Sequence, residues 1–183
     1  MIPAIAHILI IPFLQAEYAG VSSVVRMTAV MLGNTVMGDE NMITSKDLLG
    51  SVFKTAQMGK FGIEAVMSRA IRPGLQEELR SQLRQYDSIS DTAQTIAQSR
   101  GWVVDGISPT VKWMSRIMSQ ANLAGGNTDS KIAGMLIQGN TRGMIKGLKN
   151  LNRGGKCDTD VVALAQELVS RERINIQKAQ PFL

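Results

Sequence analysis

Apolar residues recur at steps of three and four positions along most of the chain, and this spacing constrains the fold more than any other feature. The first stretch begins near Thr44, which with Ser45 is a candidate helix cap. Pro73 ends this helix and can occupy the first turn of the next one, which Gly101 closes. The apolar positions of the two stretches are Leu49, Val52, Phe53, Ala56, Ile63, Val66, Met67, Ala70, Leu75, Leu79, Leu83, Tyr86, Ala93, Ile96 and Ala97.

Three more helices follow in the second half of the chain. A short third helix is predicted over 111–123, a fourth from Thr128 or Asp129 to about 152, and a fifth from Asp158 or Thr159 to a point before Pro181. Aromatic residues make up only 4% of the chain, and no long alternation typical of strands occurs. The sequence therefore predicts an all-α protein, an antiparallel four-helix bundle with one additional short helix.

The first 41 residues differ from the rest and form an apolar N-terminal extension in front of a bundle over 42–183. The run from Ile2 to Leu14 is almost entirely apolar, but it is too short to span a bilayer, and no basic region precedes it. We therefore expect no transmembrane segment and a cytoplasmic protein. One hypothesis is that translation starts at Met42, because Gly38-Asp39 can be encoded by a purine-rich sequence at a ribosome-binding distance.

Two segments carry a resemblance to a known family. One reads Thr-Asp-Ser-Lys-Ile-Ala-Gly-Met-Leu-Ile-Gln-Gly from Thr128, and the other reads Asp-Val-Val-Ala-Leu-Ala-Gln-Glu-Leu-Val from Asp160. Together they resemble small cytosolic ferritin-like bundle proteins of spore-forming bacteria, some of which are associated with the spore coat. The resemblance covers roughly 45–183 and implies a ferritin-like fold, but it supplies no established reaction.

The chemistry expected of a di-metal bundle is largely missing. Such a centre uses carboxylates from four helices, including two Glu-x-x-His motifs, whereas the single His of this chain is His7. The remaining weak metal candidates are Glu64, Asp87, Asp91 and Glu172. Glu172 lies within the apolar stripe of the fifth helix, where we interpret it as an acid at the edge of the stripe that pairs with a basic residue such as Arg171 or Arg173. We expect no catalytic di-iron chemistry and no cofactor.

Gly139, Gly143 and Gly147 lie four residues apart on the fourth helix and form a ridge without side chains. Glycine inside a helix costs roughly 1 kcal/mol relative to alanine, so we expect a compensating gain. Close approach of another helix, within the monomer or across a dimer, is the favoured interpretation, and close approach of a ligand is the alternative.

Positive charge is concentrated in the same part of the chain. Eight Lys and Arg residues but only one acid occur between Gly106 and Cys157. Arg142, Lys146, Lys149 and Arg153 form one stripe on the fourth helix, opposite Ile137, Met144, Leu148 and Leu151. The stripe is either an ordinary solvated face or a binding surface for an anionic partner such as a phosphate backbone or an acidic protein.

These features favour a non-enzymatic helical bundle that acts by self-association or by binding a partner, with a degenerate ferritin-like metal site. A homo-oligomer or a protein partner is expected. Two alternatives remain open at this point: a ferritin-like protein of metal binding or oxidative stress, and an adaptor that binds nucleic acid or another anionic surface through the basic stripe.

Overall fold

The computed structural model describes residues 42–107 and 128–183, which fold into four long α-helices and two short 3-10 turns. The helices are α1 (Ser45–Val66), α2 (Pro73–Ser99), α3 (Thr128–Arg153) and α4 (Thr159–Ala179). The turns are Met67–Arg69 and Gln180–Phe182. No strand occurs in these residues. The all-α helical bundle predicted from the sequence is confirmed, and α3 and α4 are the fourth and fifth predicted helices.

Two predictions concern residues outside this range. The short third helix predicted over 111–123 and the apolar extension 1–41, with the hypothesis of a start at Met42, lie outside the described residues. Among the helices that the structure describes, none combines the length and the apolar character needed to cross a membrane.

The helix ends follow from local chemistry. Thr44 caps α1, because its hydroxyl accepts a hydrogen bond from the Asp47 amide at 3.1 Å while the Asp47 carboxylate accepts one from the Thr44 amide at 3.2 Å. Pro73 stands at the start of α2, and Gly101 after its end has a φ of 63°, the left-handed conformation that glycine adopts without strain.

Asp129 caps a helix other than its own. Its carboxylate accepts hydrogen bonds from the backbone amides of Ile71 at 2.8 Å and Arg72 at 2.9 Å, just before α2 begins. No side chain near Arg72 in sequence caps α2, so a residue of α3 satisfies these amides. The sequence suggested Asp129 as a cap for α3 itself; the structure instead places it in the first turn of α3, where it fastens α3 to the start of α2.

The opposite end of the bundle is fastened by several bonds. The Ile43 amide donates to the Arg153 carbonyl at 3.1 Å, and Asn150 donates to the Ser51 hydroxyl at 2.6 Å. Arg100 at the end of α2 forms salt bridges with Asp158 and Asp160 at the start of α4. These contacts bring the start of α1, the end of α2, the end of α3 and the start of α4 together.

The interior at this fastened end is entirely apolar. We call this region the apolar layer, and we define it by buried residues of α1, α2 and α4. Its members are Leu49, Val52, Phe53, Ala93, Ala97, Val161, Leu164 and Ala165. Burial of these side chains contributes about 25 cal/mol per Å² of apolar surface removed from water, so this layer supplies much of the driving force for folding.

The buried face of α3 is only partly apolar. Ile132, Leu136, Asn140 and Gly143 face the interior, whereas Leu148, one of the apolar residues opposite the basic stripe, is 38% exposed. In the second half of α3, Gly143 is buried, and the apolar contact with the core comes from the partly buried Leu151.

Candidate functional site

Five buried polar side chains meet in the middle of the bundle, and we call them the polar layer. They come from three helices, α2, α3 and α4, and each is no more than 3% exposed. The members are Gln82, Tyr86, Asn140, Glu172 and Asn175. Each lies within an otherwise apolar stripe of its helix, so the bundle places them at a common level.

Hydrogen bonds satisfy only part of the polar layer. The Tyr86 hydroxyl donates to Asn140 Oδ1 at 3.0 Å, and Asn140 Nδ2 donates to the Leu136 carbonyl at 2.7 Å. Glu172 Oε2 and both amide atoms of Asn175 are buried without a hydrogen-bond partner among the described residues. A buried polar group without a partner costs about 1–3 kcal/mol, so these atoms make the polar layer less stable than an apolar core would be.

Burial also changes the protonation of Glu172. Desolvation raises the pKa of its carboxyl from 4.5 to about 8, against the smaller opposing effect of the positive charge of Lys146. At neutral pH the carboxyl is therefore largely protonated and can donate a hydrogen bond as well as accept one. Burial likewise raises the pKa of Tyr86, to which the nearby Glu172 adds, so its hydroxyl remains a hydrogen-bond donor.

The interpretation of Glu172 as an acid at the edge of the apolar stripe is wrong. The side chain is 2% exposed and makes no ion pair within the described residues. Arg171 instead pairs with Glu167 at 3.2 Å on the outer surface of α4. Sequence spacing placed Glu172 in the stripe correctly, but its position at the centre of the stripe depends on how α3 packs against it.

A cavity of about 640 Å³ opens between α1 and α3 and reaches the polar layer. This volume is within the range of small-molecule binding sites. Gln82, Tyr86, Asn140 and Glu172 contribute to its lining, and the apolar part is formed by Met58, Ile63, Val66, Ile107, Met135 and Leu136. The cavity is thus a largely apolar space that exposes a few buried hydrogen-bonding groups.

Two glycines line the cavity at positions where no neighbouring atom lies close to the backbone. Gly62 of α1 and Gly139 of α3 both line the cavity, and a Cβ at either position would meet open space. Replacing these glycines with larger residues would fill the cavity from both walls.

The glycine ridge on α3 meets two different environments. A Cβ on Gly143 would overlap the carboxylate of Glu172, and one on Gly147 would lie 2.5 Å from Cγ2 of Val169. These two glycines allow α4 to approach closely, whereas Gly139 faces the cavity. The two interpretations of the ridge, helix packing and approach of a ligand, thus concern different members of it.

The basic stripe is also divided by the cavity. Arg142 and Lys146 line it, together with Lys54 of α1, and all three side chains are exposed. Lys149 is exposed on the same helix but is not part of the lining. Arg153 is exposed as well and lies near the end of α3. Among the described lining residues, Glu172 is the only acid.

The four metal candidates do not form a centre. Asp87 makes a salt bridge with Lys60, and the charges of Glu64 and Asp91 also act on Lys60, so these three acids surround one lysine at the surface. Glu172 lies apart from them in the interior. No group of three or more His, Cys, Asp or Glu side chains suited to a metal ion occurs within residues 42–107 and 128–183.

The donor set of the polar layer does not fit a di-metal centre. It offers one carboxylate, three side-chain amides and a phenol, whereas a di-iron or di-manganese site needs several carboxylates and histidines. The three amides were not among the candidates drawn from the sequence. The available signal was an amide at a core position of each helical stripe, namely Gln82, Asn140 and Asn175.

Comparison with protein-family models, with curated proteins and with solved structures finds no match to this chain. The geometry of the site is therefore the basis for a functional assignment.

Proposed function

We propose that this protein is a ferritin-like helical bundle that has lost its di-metal donor set and acts by binding a small organic ligand, without catalysis, in the cavity between α1 and α3. The observation that carries the proposal is the opening of this cavity onto Glu172, a buried carboxyl with an unpartnered oxygen. A ligand there would gain both burial of apolar surface and a hydrogen bond in a low-dielectric environment.

Contacts between helices support the ferritin-like arrangement. Glu78 pairs with Lys178 and Arg100 with Asp160, which favours opposite directions for α2 and α4. The proximity of Gly147 to Val169 and of Gly143 to Glu172 favours the same for α3 and α4. In that arrangement α2 and α3 run in the same direction, and the chain needs one long crossover between them, as in ferritin-like folds. Residues 100–127 are available for this connection.

The spacing of the polar layer supports a degenerate metal site. Ferritin-like di-metal proteins carry Glu-x-x-His on two helices and a Glu on each of the others. Here α4 has Glu172-x-x-Asn175, α2 has Gln82-x-x-Gln85, and α3 contributes Asn140. The same i, i+3 spacing occurs, but amides stand where the motif would have histidine or glutamate. Amides bind organic ligands through hydrogen bonds and are weak ligands for iron or zinc.

Cavity filling tests whether binding takes place there. Gly139→Leu adds a side chain to the cavity lining at a position where the Cβ meets open space. Gly50→Leu is a matched control, because Gly50 also has open space at its Cβ but is not part of the lining. We expect the neutral, solvent-sensitive dye Nile red to bind the parent protein and the Gly50→Leu variant, and to lose at least tenfold in affinity with Gly139→Leu. Equal binding by all three proteins would contradict the proposal.

Metal analysis tests the loss of the metal centre. We expect less than a tenth of an equivalent of iron, manganese or zinc in protein purified gently from its native host. Near-stoichiometric metal that is lost in a Glu172→Ala variant would overturn the proposal in favour of a metal-binding protein.

A second candidate function is an adaptor that binds an anionic macromolecule through the basic stripe. The exposure of Arg142, Lys146 and Lys149 favours it. Such binding would weaken steeply with salt and would depend on Lys149 as much as on Lys146. The cavity proposal requires only the two members of the stripe that line the cavity.

A further inference from the structure

The cavity has two chemically distinct ends. Two hydrogen bonds indicate the alignment of α1 and α3: Ser51 of α1 meets Asn150, and Ile71, which follows the end of α1, meets Asp129. By this alignment Lys54 and Lys146 fall near one end of the cavity, and Val66 and Met135 fall near the other. The stretch of α1 from Lys54 to Val66 corresponds to roughly 18 Å at 1.5 Å per residue. The cavity is therefore long enough for an extended chain.

One end of the cavity is strongly basic. Lys54 and Lys146 line this end, and Arg142 lies one turn away from Lys146 on α3, at about the level of Met58 in α1. All three side chains are exposed, and none makes an ion pair within the described residues. The only acid among the described lining residues, Glu172, is buried at the floor. Three cations without a facing acid create a positive potential that favours an anionic group at this end.

The other end is apolar. Ile63, Val66 and Leu136 are buried there, and Met135 is partly buried. Methionine adapts its shape to irregular apolar groups, so this wall can pack against a flexible hydrocarbon chain. Burial of each CH₂ group in such a space contributes about 0.8 kcal/mol.

The polar floor lies closer to the basic end. Glu172 packs against Gly143, which the alignment of the helices places at the level of Met58 in α1, one turn beyond Lys54. Glu172 Oε2 lacks a partner there, and Asn140 and Tyr86 lie beside it. A ligand with its charged group at the basic end would therefore place its next few atoms over these hydrogen-bonding groups.

From these three features we infer that the cavity binds a single-chain, fatty-acid-type amphiphile that carries a neutral hydroxyl or carbonyl group near its anionic head. The head lies between Lys54, Arg142 and Lys146, the neutral polar group meets Glu172 and Asn140, and the hydrocarbon chain extends toward Val66 and Met135. The inference rests on the proposed binding function, and it adds the charge, the chain and the second polar group of the ligand.

Four probes with the same ten-carbon chain test this inference with the full-length protein. They are 3-hydroxydecanoate, decanoate, 1-decanol and decyltrimethylammonium, titrated by calorimetry below their aggregation concentrations. We expect decanoate to bind at least tenfold more tightly than decanol, 3-hydroxydecanoate to bind more tightly than decanoate, and the ammonium compound to bind most weakly. Equal affinities of decanoate and decanol would overturn the inference.

Charge variants locate the head group. The triple substitution Lys54→Gln, Arg142→Gln and Lys146→Gln should reduce decanoate affinity to that of decanol and leave decanol binding unchanged. Lys149→Gln is the matched control, since it removes a neighbouring charge outside the cavity, and it should change decanoate affinity by less than twofold. If Lys149→Gln reduces decanoate affinity as much as the triple variant does, decanoate binds to the basic stripe at the surface, and the inference is contradicted.

A substitution at the floor tests the second polar group. Glu172→Leu should abolish the advantage of 3-hydroxydecanoate over decanoate while decanoate still binds, provided that circular dichroism shows a folded helical protein. If the advantage persists, the position assigned to the hydroxyl group is wrong.

Failure of the inference differs from failure of the proposed function. Binding of Nile red to the cavity without binding of any ten-carbon anion would overturn the inference alone. Absence of Nile red binding at the cavity would overturn the proposed function as well.

Discussion

The apolar layer and the polar layer occupy neighbouring parts of the same bundle, yet they are built on opposite principles. In the apolar layer, side chains such as Leu49 and Val161 are fully buried and carry no polar atom that needs a partner. In the polar layer, Glu172 and Asn175 are buried to the same degree and leave three polar atoms without a hydrogen bond. The side chains named from the two layers are equally buried, but burial has its full stabilising effect only in the apolar layer.

The comparison indicates that the apolar layer stabilises the fold more than the polar layer does, and the polar layer is where we propose that a ligand binds. Replacing a buried polar group by an apolar one of similar size is often neutral or stabilising, so the polar layer is not the best solution for stability. The apolar layer offsets this cost with close packing. The cavity reaches four of the five polar-layer residues, among them Glu172, whose unpartnered oxygen is the group that we propose a ligand meets. Asn175 is not among the described lining residues.

The largest expected effect comes from the apolar layer. Leu49→Ala should lower the free energy of unfolding by about 2–5 kcal/mol, because it leaves a cavity in a region that cannot collapse easily. Asn175→Ala in the polar layer should cost less than about 1 kcal/mol, since it also removes two unsatisfied atoms. Urea denaturation of the two variants measures both values, and equal losses would remove the distinction between the layers.

Titration of Glu172 should produce the next largest effect. Its pKa is near 4.5 in the unfolded chain and about 8 in the folded protein, so the folded state binds more protons between these values. The contribution of Glu172 to the stability of the protein is therefore greatest below about pH 4.5, and it is lost as the pH rises through 8. We expect the free energy of unfolding to fall by about 2–4 kcal/mol between about pH 5 and pH 9. This range follows from about 1.4 kcal/mol per pKa unit, reduced because the surroundings relax around the ionised group.

Glu172→Gln should remove this pH dependence, and denaturation curves at the two pH values measure it. Glu167→Gln is the matched control, because Glu167 lies on the exposed face of the same helix and pairs with Arg171. If Glu172→Gln leaves the slope unchanged, then Glu172 is not the buried acid that titrates.

The next effect tests the close contact between α3 and α4. Gly147→Ala should cost about 1–3 kcal/mol, because the added Cβ would lie 2.5 Å from Cγ2 of Val169, a stiff side chain in the core. Thermal unfolding followed by circular dichroism measures the change. An increase in melting temperature would show that α3 and α4 can move apart without loss of stability, and that the contact between Gly147 and Val169 is not tight.

The smallest expected effect has the opposite sign. Gly139→Ala lies two helical turns before Gly147 and should stabilise the protein by about 0.5–1 kcal/mol, because it removes the helix cost of glycine and meets open space. Gly50→Ala should give a similar gain outside the cavity. A loss of stability with Gly139→Ala, but not with Gly50→Ala, would mean that the cavity wall is closed in solution.

Much of the fold could be predicted from sequence, for local reasons. Pro73, Gly101 and the capping pair Thr44 and Asp47 act through their own backbone neighbourhood, so their effect can be recognised without tertiary structure. The cap provided by Asp129 could not be predicted in this way, because its partners Ile71 and Arg72 are more than fifty residues away.

The site was only partly predictable for the same physical reason. Glu172 attracted attention as a charge in an apolar stripe, but single amides such as Gln82 and Asn140 are common at the edges of helices and gave no comparable signal. Their convergence depends on the relative rotation and alignment of three helices. The basic residues were identified as one stripe, and only the position of α1 divides them into those that line the cavity and those that do not.

Hydrogen bonds near both ends of α1 and α3 hold the two walls of the cavity together, and they limit where these walls can separate. At one end, the Asp129 carboxylate accepts hydrogen bonds from the backbone amides of Ile71 and Arg72, between α1 and α2. At the other end, Asn150 donates to the Ser51 hydroxyl and the Ile43 amide donates to the Arg153 carbonyl. A helix held at both ends bends most readily near its midpoint, and Gly62 and Gly139 lie between the hydrogen-bonded ends. We therefore expect that a ligand bound between the helices widens the gap near Gly62 and Gly139 and leaves the hydrogen bonds at both ends intact.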